Sequence, residues 1–183
     1  NLYYKNLIKV HNVMKITSKK VAVLVEDLYQ ELEVWYPILR LKEAGAKVIV
    51  VGTGTKKVYL SKLGYEVKAD TEARKVKDID GIIIPGGYAP DRLRRYEAVN
   101  KLVHDTFRKN KVVAAICHGA WVLVSAKVLK GRRATCFNAI KDDVINAGGK
   151  YVDKEVVVDG NLITSRKPED LPAFMKAVIK VLN

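Results

Sequence analysis

The sequence predicts one α/β domain, a mostly parallel sheet with helices on both faces. Three observations carry this. Four short apolar runs, residues 21–25, 46–51, 79–84 and 112–116, are continuous rather than alternating, as in strands covered on both sides. Stretches with helical spacing follow them at 32–44, 91–109 and 171–182, the alternation of a parallel sheet. The fourth run ends in Ala115-Ile116-Cys117-His118-Gly119-Ala120, directly before a helical stretch over 121–129. A cysteine is thereby expected on a sharp strand-to-helix elbow.

Residues 1–18 read as a polar, basic arm and 19–183 as the single domain. Strand 21–25 leads to helix 32–44, which Gly45 ends as a C-cap. Strand 46–51 turns at Gly52-Thr53-Gly54 into an extended excursion over 58–69, broken at Gly64. Strand 79–84 stops at Pro85-Gly86-Gly87, and 91–109 is helical in two pieces. After the elbow come a strand over 133–137, a short helix over 140–147 and Gly148-Gly149. Asp159-Gly160 between 155–158 and 162–164 is a two-residue hairpin signal. The amphipathic stretch 171–182 closes the domain.

A chain of 183 residues, 49% hydrophobic, can bury a real core. No apolar stretch spans a bilayer and no signal-peptide pattern is present, so a cytoplasmic protein with no membrane partner is expected. Two cysteines, Cys117 and Cys136, make no disulfide framework. Five of the charges behind the net +13 are lysines in the first twenty residues, where no acid occurs. Elsewhere bases mix with acids, as in Lys141-Asp142-Asp143. A nucleic-acid stripe would be denser and interleaved with aromatics, so no specific nucleic-acid partner is expected. Metal-ligand, phosphate-loop and dinucleotide patterns are absent, and no cofactor is expected.

The chemistry concentrates at the elbow. Cys117 should sit exposed at a helix N-terminus, where N–H groups and the dipole ease ionisation to the reactive thiolate. His118 beside it is a base that titrates near neutrality. Gly86 and Gly87, at a neighbouring strand end, let backbone N–H groups approach an oxyanion; Gly87 and His118 are the expected donors. Gln30, Glu31 and Glu33 follow strand one. By themselves they suit a helix N-terminus, but Glu33 buried near Cys117 would have a raised pKa and could carry protons.

These motifs resemble the PfpI family of the class I glutamine amidotransferase-like superfamily, over roughly 20–182. The matching stretches include Pro85-Gly86-Gly87-Tyr88-Ala89-Pro90-Asp91-Arg92, Ala115-Ile116-Cys117-His118-Gly119 and Val156-Val157-Val158-Asp159-Gly160-Asn161. The resemblance implies a flavodoxin-like three-layer sandwich. It makes Cys117 the nucleophile, His118 its base, and Glu33 a carboxylate beside the thiol. It also implies a homo-oligomer in which a glutamate from an adjacent subunit orients the histidine. The counterpart here is Asp91, one methylene shorter, and the plain alternative is that Asp91 caps the following helix. The family has two glutamates after strand one; Glu33 matches the second, Gln30 stands at the first, and Phe137 stands where the family has a tyrosine. Family members are described as intracellular cysteine peptidases, as deglycases acting on dicarbonyl-modified groups, and as cofactor-free glyoxalases. All begin with a thiolate attacking a carbonyl carbon or an adduct of one. The expected function is a cysteine hydrolase of the peptidase or deglycase type. The alternatives are a glyoxalase-type lyase and a non-enzymatic thiol sensor or stress-protective protein.

Overall fold

A computed structural model describes residues 15–183; most of the expected arm, residues 1–14, lies outside the described residues. The elements run β1 (Lys20–Leu24), α1 (Glu31–Glu43), β2 (Lys47–Gly52), β3 (Val58–Leu60), β4 (Glu66–Lys68), β5 (Thr71–Glu72), β6 (Gly81–Ile84), α2 (Ala89–Leu93) and α3 (Glu97–Arg108). Then come β7 (Val112–Ile116), a 3-10 turn over Cys117–Gly119, α4 (Ala120–Ser125), β8 (Arg133–Ala134), α5 (Lys141–Asn146), β9 (Lys150–Tyr151), β10 (Val156–Asp159), β11 (Leu162–Ser165) and α6 (Leu171–Leu182). Ile16 is already buried, and its N–H donates to the Ala44 carbonyl after α1.

The main sheet has the order β10-β11-β7-β6-β1-β2-β5. All its pairs are parallel except the hairpin β10–β11 around Asp159-Gly160. This is the flavodoxin-like α/β sandwich that the sequence suggested. The continuous apolar runs explain it: every residue of β6 and β7 is buried, and so is β1 beyond Lys20. Such strands need cover on both faces. From β1 the chain crosses to β2 on one side, and from β6 to β7 on the other. Right-handed crossovers then set α1 and α3 on opposite faces. Helix α6 packs beside α1, and α4 beside α3. The reversal of direction falls between β1 and β6, where the two outgoing loops diverge and leave a crevice.

Two sequence expectations change and a third gains detail. The elbow helix is a 3-10 turn plus the six residues of α4, because Lys127 takes a positive φ of 57° and stops it. The strand expected over 133–137 is only β8, which pairs with β9 outside the main sheet. The excursion over 58–69 is the antiparallel pair β3–β4, which reaches back over the crevice; the N–H of Lys62 donates to the Tyr29 carbonyl.

Candidate active site

Three adjacent strands of the sheet, β1, β6 and β7, deliver the expected residues to one crevice. Cys117 directly follows β7 with φ of 60°, in the left-handed region. For a non-glycine residue this costs about 1–2 kcal/mol. Close packing around the elbow holds it there. A Cβ on Gly119 would stand 2.5 Å from the Ile84 carbonyl oxygen, so only glycine lets the turn close down on β6. Gly86 is fixed the same way. A Cβ there would come within 2.6 Å of Glu33 Oε2 and 2.7 Å of Cys117 Cβ. The missing side chain is what lets the carboxylate and the thiol share one site.

Glu33 sits in the first turn of α1 and is 0% exposed. Gln30 caps that helix, its side-chain oxygen accepting from the N–H groups of Leu32 and Glu33. The N–H of Gly86 donates to Glu33 Oε2 at 2.7 Å. Glu33 Oε1 has no hydrogen-bond partner among the described residues. The Cys117 thiol stands close enough for each group to shift the other. Burial pushes the Glu33 carboxyl up to about 7, against the pull of the Gly86 N–H and the thiol. The conditional expectation for Glu33 therefore holds, and it is no ordinary helix-terminal acid.

The exposed, easily ionised thiol is corrected. Cys117 is only 8% exposed. Burial first, and the Glu33 charge second, push the thiol up to about 12. The N–H groups of His118 and Gly87 point at the sulfur and act in the opposite direction. The Glu33 contribution disappears when Glu33 is protonated. A proton passing from Sγ to Glu33 thus removes the charge that opposes the thiolate, and the pair titrates as a unit. Gly86 serves this pair by binding the carboxylate, while Gly87 and His118 supply the N–H groups on the sulfur side.

His118 Nδ1 lies 3.4 Å from Cys117 Sγ. The ring is held between Phe137, stacked at 4.9 Å, and Trp121, edge-on at 5.1 Å. Burial, and then the Lys62 charge, lower its pKa, so imidazole is the neutral acceptor at pH 7. Cys136 is fully buried two residues after β8 and takes no part. Asp91 lies in α2, half exposed, and its carboxylate pairs with Arg95. Among the described residues no hydrogen bond or ion pair joins it to His118. The N-cap of α2 is Tyr88, so Asp91 is not the helix cap.

Two neighbours of the site escaped sequence reasoning. Trp121 read as the first residue of the elbow helix, with nothing to say that its edge meets His118. Lys62 read as one of many lysines in an extended stretch. Trp121 meets His118 from the next turn of the same elbow, a contact set by side-chain orientation, while Lys62 reaches the site only through packing of a distant segment.

Residues 19–181 match the DJ-1/PfpI family. A Pyrococcus abyssi protein named as a deglycase is 44% identical over 166 residues, 90% of this chain and 99% of its own. YraA of Bacillus subtilis, named as a candidate cysteine protease, is 40% identical over 168 residues, 91% of this chain and 99% of its own. Among solved structures, a two-domain Anabaena variabilis protein with DJ-1/ThiJ/PfpI-like and ferritin-like domains aligns with a TM-score of 0.88 and 41% identity. The match covers 90% of this chain and 48% of that one.

Proposed function

The chain belongs to the DJ-1/PfpI family, and on that premise we propose that it is a cysteine-dependent hydrolase that removes dicarbonyl-derived groups, or cleaves peptides, through Cys117. One observation supports this above the rest: Glu33 and Cys117 are buried together across Gly86, with backbone N–H groups aimed at the sulfur. A structural cysteine needs none of these.

In the reaction the thiol proton moves to Glu33 or His118, and Sγ attacks the carbonyl carbon. The N–H groups of Gly87 and His118, which first stabilise sulfur, then face the developing oxyanion. His118, neutral at rest, accepts a proton on attack and returns it to the departing amine or thiol. Water then releases the acyl or adduct carbon from sulfur, with the proton going to the same base. No metal or cofactor enters these steps. The glyoxalase alternative keeps one specific support. A carboxyl near 7 both gives and takes protons at neutral pH, as rearrangement of a hemithioacetal requires.

The site is completed by a second copy. Among the described residues the Asp91 carboxylate pairs with Arg95 alone. Apolar side chains beside the crevice are uncovered, among them Leu32, Leu39, Tyr65 and Leu63, the last 86% exposed. In the assembly, Asp91 of the neighbouring copy would orient His118. Incubating the protein with methylglyoxal, a methylglyoxal-modified peptide and casein, each beside the Cys117→Ser variant, tests the proposal. Cys117-dependent turnover of the modified peptide or casein is expected. Turnover of methylglyoxal alone would favour the lyase, and turnover of none would favour a thiol sensor.

A further inference from the structure

We propose that Lys62 is a charge-selecting residue at the mouth of the site, favouring substrates that carry a carboxylate or other anionic group beside the carbon attacked by Cys117. This rests on Cys117 being the nucleophile. The fold places Lys62 with care. Its N–H donates to the Tyr29 carbonyl at 3.0 Å, and the next residue of that segment, Gln30, donates to the Gly86 carbonyl. Its ammonium lies 6.0 Å from the ring centre of Tyr88, which follows Gly86-Gly87. The β3–β4 turn thus carries a cation to the rim of the crevice.

Among the described residues no carboxylate comes within ion-pairing distance of Lys62 Nζ. Glu31 accepts from the N–H of Leu63 at 2.8 Å and feels the Lys62 charge without forming an ion pair with it. The Lys62 charge acts on Glu33 and His118 alike, so its field reaches the reacting groups. Without it, an anionic substrate would meet a buried carboxylate and no compensating charge. Tyr88 adds an aromatic face for the apolar part of the same molecule.

The test uses two alkylating probes of similar size, iodoacetate and iodoacetamide. With either, an S–CH2 bond forms, the C–I bond breaks, iodide leaves with the electron pair, and the thiol proton goes to solvent. The ratio of the two rates at Cys117 reads the field at the mouth and cancels any change in the thiol itself. In Lys62→Met the ratio of iodoacetate to iodoacetamide should fall about fivefold, the size of one charge contact in water. Lys62→Arg should keep the wild-type ratio. So should Lys180→Met, which removes the same charge from the end of α6, whose Leu182 packs on Gly81 at the opposite end of the sheet. In 1 M salt the wild-type ratio should approach that of Lys62→Met. An unchanged ratio in Lys62→Met, with Cys117 still reactive, would refute the role of Lys62 and leave the nucleophile standing. A Cys117 inert to both probes would overturn both. On the substrate side, hemithioacetals of methylglyoxal with N-acetylcysteine and with its neutral amide should differ in KM in the wild type and converge in Lys62→Met.

Discussion

Cys117 and Cys136 are the same residue in the same protein, and burial pushes both thiols up to about 12. They differ in what burial brings with it. Around Cys136 the one further influence is the repelling charge of Asp143. Around Cys117 stand two backbone N–H groups, a carboxyl that can take the proton, and an imidazole at 3.4 Å. Burial alone makes a cysteine inert. Burial together with a proton acceptor and prearranged donors gives the environment that the proposed nucleophile requires.

The strongest way to break this contrast is to exchange the thiols. Cys117→Ser should lower hydrolase or dicarbonyl turnover by more than about a thousandfold with the fold intact, since removing a nucleophile leaves only binding and the oxyanion donors. Cys136→Ser should keep turnover within a few-fold of wild type. Equal losses in the two variants, measured with matched circular dichroism spectra, would dissolve the distinction.

The pH dependence of alkylation sharpens it. Cys117 should react with iodoacetamide much faster than Cys136 at mildly acidic to neutral pH. Its rate should rise through a step near pH 7, where the Glu33–Cys117 pair loses its first proton. Cys136 should rise only toward alkaline pH. A mass-spectrometric time course with no step near 7 for Cys117 would argue that Glu33 does not share its proton.

Glu33 also links reactivity to stability. Its folded pKa, about 7, exceeds the ordinary 4.5. The folded state therefore binds more protons between those values, and stability from this group is full below 4.5 and lost as pH rises through 7. The penalty above 7 is about 3 kcal/mol. Glu33→Gln, which can still accept from the Gly86 N–H, should melt higher than wild type at pH 8, melt unchanged at pH 4.5, and lose activity. A lower melting point at pH 8 would mean that the carboxylate is better accommodated than its burial implies.

The smallest structural effect belongs to Asp91. Its i, i+4 pair with Arg95 is exposed, and such pairs contribute about 0.3–0.5 kcal/mol. Asp91→Ala should therefore barely move the melting point. An activity loss well beyond that, with light scattering showing an oligomer, would assign Asp91 to the neighbour's site. A fully active monomer would reject the shared site.

Much of this was legible in the chain itself. Continuous apolar runs could only be strands covered on both faces, and Asp159-Gly160 marked a hairpin. The motifs around Cys117 marked an elbow at a strand end. These are local properties, set by residue type and spacing within a few positions. The tertiary structure decided the rest. Glu33 reads as a helix-terminal acid until the turn at Gly86 brings it against Cys117, two strands away. The thiol reads as exposed until Phe137, Trp121 and the crevice close over its surroundings. Lys62 reads as solvated surface until the β3–β4 turn folds back onto Tyr29. Ionisation depends on burial and on charges a few ångströms away, and both come from segments far apart in the chain. The sequence could therefore single out Cys117, and only the packing could say which groups stand beside its thiol.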